Sequence, residues 1–360
     1  MKPRRVFVSD CEGPISKNDN AFELSAHFIP NGEDFFRKVS RYDDILADIV
    51  RKPGYKAGNT LKLIVPFLKV YGATNERIYE YSLKHILLMP HASETLRYIL
   101  ELMPSYIVST SYEPYIRSLC RVLGFPYQNV YCTKLDIDKY VIDRKEAEKL
   151  KRFREEVSRM PDLEIPEHAR SFEDLPTETR RAVERLNEIF WTEISGMKCG
   201  EILKDVEPVG GYEKANAVKE IAEVNKVELK DVMYVGDSIT DVESFRLVRE
   251  EGGLTVSFNG NEYAVRETEV AVVSSSALIT ALLAYIFNVK GRHGVLELAE
   301  GWPEKLKDYS DHLLYRRFLE EFRRNMPIVE VVTKENRERI TKLSSEFRKK
   351  VRGEKVGSLG

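Results

Sequence analysis

Two short apolar segments in this chain each lead directly into an acidic turn. Residues 6–9 are followed by Asp10, and residues 232–236 are followed by Asp237. Strands this short and this apolar are typical of a parallel sheet that is covered on both faces. Ligands of such sheets bind beyond the carboxyl ends of the strands, where the strand order reverses. We therefore expect Asp10 and Asp237 to face one crevice.

Much of the chain alternates short β-rich segments with longer amphipathic ones, which indicates an α/β fold. We predict a Rossmann-like, doubly wound parallel sheet. Its predicted strands are residues 5–9, 106–110, 130–135, 232–236, 254–258 and, at an edge of the sheet, 270–273. Helices are predicted between them at residues 112–123, 214–224 and 241–249.

Three helical stretches interrupt or follow this alternation, so the predicted core is discontinuous: residues 1–15, 89–140 and 200–275. Residues 16–88 contain no predicted strand, and their helices are expected at 32–51, 59–70 and 74–86. Residues 141–199 are highly charged, and we interpret their helices, 144–160 and 177–191, as a surface hairpin or arm.

The third stretch, residues 276–360, is predicted to be a helical extension at the C-terminal end of the sequence. It is rich in aromatic residues, which indicates that it packs against the rest of the protein. Its last residues, 349–360, are polar and contain several glycines and lysines, and we expect them to be frayed.

The composition excludes several functional classes. Among 360 residues, Lys and Arg number 56 and Asp and Glu number 58, so no net positive charge indicates nucleic-acid binding. The longest apolar stretch, residues 277–289, is shorter than the ~20 residues of a membrane helix. We expect a cytoplasmic protein without a membrane-inserted segment. A single glutamine in a chain this rich in ionic side chains suggests a thermophilic source.

Several side chains suited to phosphate chemistry are predicted at the same edge of the sheet. Two aspartates at strand ends can bind a hard cation such as Mg²⁺. A third predicted strand ends in Ser109 and Thr110, and Lys214 begins a helix, so hydroxyl, amide and ammonium donors can reach the same crevice. A carboxylate nucleophile and a second carboxyl group that moves protons would complete a phosphoryl-transfer site.

In order along the chain, these residues resemble the motifs of the haloacid dehalogenase (HAD) superfamily. The first motif is similar to Asp10-Cys11-Glu12-Gly13-Pro14, and the second to Ser109 at the end of its strand. The lysine motif is similar to Lys214, and the fourth motif to Gly236-Asp237-Ser238-Ile239-Thr240-Asp241. The resemblance covers residues 1–15, about 89–140 and 205–275, and it favours the phosphoserine-phosphatase-like branch.

This resemblance implies a role for each matching residue. Asp10 would be the nucleophile and a Mg²⁺ ligand, and Glu12 would be the general acid and base, with its main-chain carbonyl on the metal. Ser109, with Thr110 beside it, and Lys214 would hold the phosphate. Asp237 would bind the metal, and Asp241 would orient metal-bound water or the lysine. The chain departs from the family pattern at Glu12, where Asp is usual, and at Pro14, where Thr is usual.

In this superfamily an insertion after the first motif forms a cap that recognises the substrate, and residues 16–88 resemble the small helical cap of the phosphoserine-phosphatase branch. Polar residues of this cap that are candidates for substrate contact are Asn18, Asn20, Arg41 and Lys56. Arg41 and Lys56 could pair with a substrate carboxylate or a second phosphate. The alternative is that the asparagine region only caps a helix and Arg41 faces solvent.

These observations favour a Mg²⁺-dependent phosphatase that acts on a small phosphorylated metabolite through an aspartyl-phosphate, with phosphotransfer to another hydroxyl compound as a close variant. The alternative is a HAD-like regulatory or assembly subunit with little or no turnover. Residues 10–21 resemble archaeal HAD-like proteins that are catalogued beside energy-converting hydrogenase components. Residues 141–199 could mediate a homodimer or bind a protein partner.

Overall fold

A computed structural model describes residues 5–166, 168–310 and 312–359. Its central feature is a seven-stranded sheet in the order β3-β2-β1-β4-β5-β6-β7. The strands are β1 (Val6–Ser9), β2 (Ser105–Tyr112), β3 (Val130–Thr133), β4 (Val232–Gly236), β5 (Leu254–Phe258), β6 (Val270–Val273) and β7 (Ile328–Val331). All neighbouring strands are parallel except β6 and β7.

The helices follow the predicted periodicity closely. Those of the first half of the chain are α1 (Asn20–Phe28), α2 (Gly32–Asp44), α3 (Thr60–Val70), α4 (Asn75–His85), α5 (Ala92–Leu102), α6 (Glu113–Leu123), α7 (Arg144–Arg159) and α8 (Thr177–Glu188). The second half contains α9 (Glu201–Asp205), α10 (Tyr212–Asn225), α11 (Val242–Glu250), α12 (Glu262–Glu267), α13 (Leu278–Glu300), α14 (Leu313–Glu321), α15 (Arg337–Arg352) and α16 (Glu354–Gly357). Single π-helical segments continue α2 and α8.

The order of the strands creates a crevice at the centre of the sheet. From β1 the chain builds outward through β2 and β3 on one side, and then returns to β4 on the other side and continues through β5 and β6. Helices α5, α6 and α13 cover one face of the sheet, and α10 and α11 cover the other. The predicted α/β, doubly wound architecture is confirmed, and the carboxyl ends of β1 and β4 meet where the order reverses.

The prediction that residues 270–273 form an edge of the sheet is wrong. Strand β7 pairs with β6 in antiparallel register, with Val272 opposite Val329, so β7 is the edge. It lies within the stretch predicted to be entirely helical. Only Val329 of its four residues is fully buried, and a strand this short with one covered residue shows almost no periodicity in the sequence.

The charged insertion lies at the surface as a pair of neighbouring helices, and it packs against the protein instead of projecting as an arm. Leu150 and Phe153 of α7 share one hydrophobic cluster with Phe35 of α2 and Phe67 of α3. The indole of Trp191 donates a hydrogen bond of 2.9 Å to the hydroxyl of Tyr42 in the cap. The apolar face of the insertion is therefore buried against the cap helices, while its charged face meets solvent. Its role in binding a partner stays a prediction.

The last described residues are also packed, contrary to the expectation that they are frayed. Helix α15 lies against α12 and β6. Leu359, beyond α16, is only 8% exposed and joins the hydrophobic cluster of the cap. Among the helices of the described ranges, including the long α13, none is both long and apolar enough to cross a membrane.

Candidate active site

Three aspartates meet at the crevice between β1 and β4. Asp10 directly follows β1, Asp237 directly follows β4, and Asp241 ends the short turn before α11. All three are buried, and one carboxylate oxygen from each lies within 4.8 Å of the others. The two strand ends are in contact, because the Asp10 amide donates a 2.8 Å hydrogen bond to the carbonyl of Val235.

The turn after Asp10 requires glycine. Gly13 has a φ of +96°, and a Cβ atom built on it would lie 2.0 Å from Oδ2 of Asp237. A side chain at this position would therefore be strained by the backbone and would also displace a carboxylate of the site. The glycine of the first motif allows the two acidic turns to approach each other.

Lys214 links two of the aspartates from the first turn of α10. Its Nζ lies 2.7 Å from Oδ2 of Asp10 and 2.8 Å from Oδ1 of Asp241, and its side chain is fully buried. Burial alone would disfavour the ammonium, but the two carboxylates outweigh it and raise the pKa of Lys214. The lysine is therefore charged and held in place.

Asp241 orients its neighbours. Its Oδ2 accepts the amides of Asp237 at 2.9 Å and Ser238 at 3.0 Å. Its Oδ1 accepts the ammonium of Lys214 and, at 2.7 Å, the hydroxyl of Tyr234. Both oxygens are thus used inside the protein, which agrees with a role in orienting the lysine rather than the substrate.

The donor set of the crevice fits a hard divalent cation, which prefers carboxylate oxygens. Burial raises the pKa of Asp10 to about 7, although the nearby Lys214 acts in the opposite direction. A cation bound beside Asp10 would favour its ionised, nucleophilic form. Asp10 and Asp237, on adjacent strand ends, are the carboxylates best placed to hold such an ion.

Glu12 lies at the junction with the cap. Its Oε1 accepts a 2.7 Å hydrogen bond from the amide of Asn20, the first residue of α1. Desolvation and the charge of Asp19 raise the pKa of Glu12 well above its usual range, while Arg352 acts in the opposite direction. A raised pKa keeps the proton on a carboxyl group to higher pH, and a protonated carboxyl group can donate to a leaving group.

This raised pKa predicts a pH-dependent stability. The folded chain retains the Glu12 proton at pH values where the unfolded chain releases it, so this stabilisation is present at low pH and lost as the pH rises. Near about pH 8, we expect Glu12→Gln to have a higher free energy of unfolding than wild type, by ~1.4 kcal/mol for each unit by which the pKa of Glu12 is raised. Near about pH 4, the two free energies of unfolding should be similar. Denaturant titrations across this range measure the difference.

The matched control is Glu223→Gln, on the exposed face of α10. Its stability curve should follow that of wild type at every pH. If the free energies of unfolding of wild type and Glu12→Gln differed by the same amount at every pH, the raised pKa of Glu12 would be contradicted.

The end of β2 brings hydroxyl groups to the same crevice. Ser109 is buried, and its Oγ accepts the amide of Ser111 at 3.2 Å. The hydroxyl of Thr110 is buried and has no hydrogen-bond partner among the described residues. These residues line a cavity of about 80 Å³ together with Asp10, Glu12 and Asp237. The cavity has space for a few water-sized groups.

The two asparagine candidates for substrate contact serve the connection between core and cap. Asn18 donates to a carboxylate oxygen of Glu23 and to the carbonyl of His85, both at 2.8 Å, and its Oδ1 accepts the amide of Leu87. Asn20 donates to the hydroxyl of Ser82 at 3.2 Å. These hydrogen bonds join the two chain segments that enter and leave the cap.

The two basic candidates lie in a second cleft, of about 770 Å³, outside the cavity of Asp10. Arg41 is partly exposed, with its guanidinium 3.8 Å from Asp44. Lys56 is paired with Glu207 and, at 2.7 Å, with Glu213. None of the four candidates is among the described residues that line the cavity of Asp10, and their role in substrate contact stays a prediction. Oδ1 of Asn20 is buried and has no hydrogen-bond partner among the described residues.

Two arginines that the sequence analysis did not select do reach the cavity. Arg348 and Arg352, in the last turns of α15, both contact Oδ2 of Asp237. They lie in a basic helical run beside the end predicted to be frayed, and such runs usually face solvent. Their spacing of four residues places both on one face of the helix, but nothing local in the sequence shows that this face is buried.

The fold and the site define an α/β protein with a carboxylate–lysine centre at the switch point of its sheet. Its structure is similar to that of gene product AF1437 from Archaeoglobus fulgidus, with a TM-score of 0.80 and 26% identity over 99% of each chain. Its neighbours also include phosphoserine phosphatase, a member of the superfamily that the motifs resemble. A phospho-aspartyl intermediate analogue of that enzyme has a TM-score of 0.48 and 15% identity, over 79% of this chain and 99% of that chain.

The apo form of phosphoserine phosphatase gives a TM-score of 0.46 and 14% identity, over 78% of this chain and 98% of that chain. Searches against family models and curated proteins found no match. The overall similarity to AF1437 therefore establishes the shared fold, and the chemistry of the site has to be argued from the residues themselves.

Proposed function

We propose that this protein is a Mg²⁺-dependent phosphatase that acts on a small phosphorylated metabolite through an aspartyl-phosphate. One observation carries the proposal: at the switch point of the sheet, the Asp10 carboxylate is 2.7 Å from a fully buried lysine and shares its cavity with Asp237 and the hydroxyls that end β2. In this proposal, Asp10 would be the nucleophile, the lysine would supply the counter-charge, and the hydroxyls would bind phosphate oxygens.

The reaction proceeds in two displacements. In the first, a carboxylate oxygen of Asp10 forms a bond to phosphorus, the bond to the leaving oxygen breaks, and Glu12 gives its proton to that oxygen. In the second, Glu12 takes a proton from water, and the water oxygen bonds to phosphorus. The bond between phosphorus and the Asp10 oxygen then breaks, which releases inorganic phosphate and regenerates the carboxylate.

The other residues stabilise and enclose the phosphoryl group. Lys214 and the amides and hydroxyls at the end of β2 offset the charge on its oxygens. Mg²⁺, held by Asp10 and Asp237, supplies further positive charge when it is bound. Phe36 and Leu61, from residues 16–88, line the same cavity and would help to exclude bulk water from it. If a hydroxyl compound replaces water in the second displacement, the same residues perform phosphotransfer.

The proposal is tested by hydrolysis of p-nitrophenyl phosphate by the full chain, in EDTA and then with excess Mg²⁺. We expect p-nitrophenol and phosphate to be released only in the presence of Mg²⁺, because the charge on the phosphoryl oxygens needs the cation. Release that is equal in EDTA and in Mg²⁺ would contradict the proposed role of the metal. A panel of phosphorylated metabolites then identifies the substrate through the ratio kcat/KM.

A second candidate function is a HAD-like regulatory or assembly subunit with little turnover. It is favoured by one observation, the two arginines that already neutralise Asp237. This candidate predicts that no phosphorylated compound is hydrolysed in the presence of Mg²⁺, although the chain is folded and its cavity is intact.

A further inference from the structure

The region after residue 275 contributes two guanidinium groups to the candidate active site. Arg348 contacts Oδ2 of Asp237 and also donates to the main-chain carbonyl of Asp237 at 3.2 Å. Arg352 lies 3.1 Å from the same carboxylate oxygen. The exposed fractions of the two side chains are only 3% and 4%. Both groups are therefore enclosed in the protein and directed at one carboxylate.

The position of these arginines is fixed by contacts along the whole end of α15. The hydroxyl of Ser344 donates a 2.7 Å hydrogen bond to the carbonyl of Gly260. Arg352 also donates to the carbonyls of Lys17 and Asn18, where the chain enters the cap. The guanidinium pair is thus a built part of the site, because it is held from both the sheet side and the cap side.

Asp237 faces more positive than negative charge at close range. Its single carboxylate is contacted by two guanidinium groups, those of Arg348 and Arg352. A divalent cation that bound Asp237 alone would lie beside these two buried cationic groups, which is unfavourable. A doubly charged phosphate group that entered with the cation would offset this repulsion.

The cavity also contains buried donors that lack an acceptor. Nε of Arg348 and Oγ1 of Thr110 have no hydrogen-bond partner within the described part of the chain, and both residues line the cavity. Buried donors are normally satisfied, so each of these groups indicates an acceptor that is not part of the protein. A phosphate, with several charged oxygens, matches the planar fork of a guanidinium better than a halide or a single hydroxyl does.

We propose that Arg348 and Arg352 form an anion site that couples phosphate binding to Mg²⁺ binding. Without an anion, the two guanidinium groups neutralise Asp237 and oppose the entry of the cation. When a phosphate group enters, they bind its oxygens and leave Asp237 able to ligate Mg²⁺. The proposal rests on the proposed function, from which the identities of the anion and the cation are taken.

Isothermal titration calorimetry of the full chain tests this coupling without any turnover. We expect Mg²⁺ to bind wild type about tenfold more tightly in saturating inorganic phosphate than without phosphate, and phosphate to gain the same factor from Mg²⁺. In Arg348→Met and Arg352→Met, Mg²⁺ alone should bind more tightly than to wild type. Phosphate should bind more weakly, and the coupling factor should fall below about threefold.

Two further variants separate this role from a merely structural one. Arg348→Lys retains the positive charge but lacks the guanidinium fork. We expect Mg²⁺ alone to bind this variant about as weakly as it binds wild type, while the coupling factor falls. Arg337→Met, on the exposed start of α15, should bind both ions as wild type does. Melting curves followed by circular dichroism establish that each variant used in the titrations is folded.

Two results would overturn the inference: a wild-type Mg²⁺ affinity that is the same with and without phosphate, or an undiminished coupling factor in the folded Met variants. Failure of the proposed function is a separate result. If no phosphate ester is hydrolysed but the coupling is present and depends on the arginines, the anion site is supported and only the proposed phosphatase activity is rejected. If phosphate esters are hydrolysed but the binding of Mg²⁺ and the binding of phosphate are not coupled, the proposed phosphatase activity is supported and the anion site is rejected.

Discussion

Replacement of Asp10 by asparagine is expected to lower the phosphatase turnover number by ~10⁴-fold or more, which is the scale of losing a catalytic nucleophile. Asparagine retains the shape of the side chain but lacks the anionic oxygen that attacks phosphorus. The Mg²⁺-dependent hydrolysis of p-nitrophenyl phosphate measures the loss. The protein should stay folded, because Lys214 retains its 2.8 Å ion pair with Asp241.

The control for this substitution is Asp162→Asn, at an exposed position of the insertion. It removes the same charge from the chain and should leave hydrolysis unchanged. Activity of Asp10→Asn within tenfold of wild type, in a preparation free of contaminating phosphatase, would show that Asp10 is not the nucleophile. The reaction would then have to be assigned to another group in the cavity.

Removal of the buried ammonium in Lys214→Met is expected to lower the free energy of unfolding by ~3–5 kcal/mol, the usual cost of leaving a buried charge without its partner. Both Asp10 and Asp241 lose a contact shorter than 3 Å, and both side chains are buried. Chemical denaturation at neutral pH measures this change. Activity should also be lost, because the phosphoryl oxygens lose a positive charge.

A double variant separates this explanation from a simple packing defect. Asp10→Asn added to Lys214→Met removes the carboxylate whose Oδ2 was paired with the lysine, so the double variant should be more stable than Lys214→Met alone. Lys219→Met, on the exposed face of the same helix α10, should change stability by no more than about 0.5 kcal/mol. If Lys214→Met is no less stable than Lys219→Met, the three-residue ion cluster contributes nothing to folding.

The sheet and its acidic edge could be predicted because their signals are local. The run that ends in Asp10 and the run that ends in Asp237 each identify a buried strand and a turn, and the rule for parallel sheets places their ends together. Lys214 could be predicted for the same reason, since a helix that follows two glycines returns to that edge. In each case the residues that define the element lie within a few positions of the residue that acts.

The parts that could not be predicted depend on contacts between distant positions. Arg348 is 111 residues from Asp237, and only the packing of α15 shows that this basic side chain is buried. The substrate candidates show the same dependence on distant contacts. Asn18 is polar and near the site, but its side-chain oxygen accepts a hydrogen bond from the main-chain amide of Leu87, 69 residues further along the chain. Residue type alone does not distinguish a group free to bind a ligand from one that holds the fold.

The size of the cavity has a consequence for the rate at which the protein could work. About 80 Å³ has space for a few water-sized groups. A metabolite much larger than its phosphate group would therefore need the helices of residues 16–88 or the end of α15 to move away from the sheet. Arg352 donates to the carbonyl of Lys17, where the chain enters those helices, so this contact would have to break in such a movement. Opening of this kind takes microseconds to milliseconds in enzymes, and for a large substrate it would set an upper limit on the turnover rate.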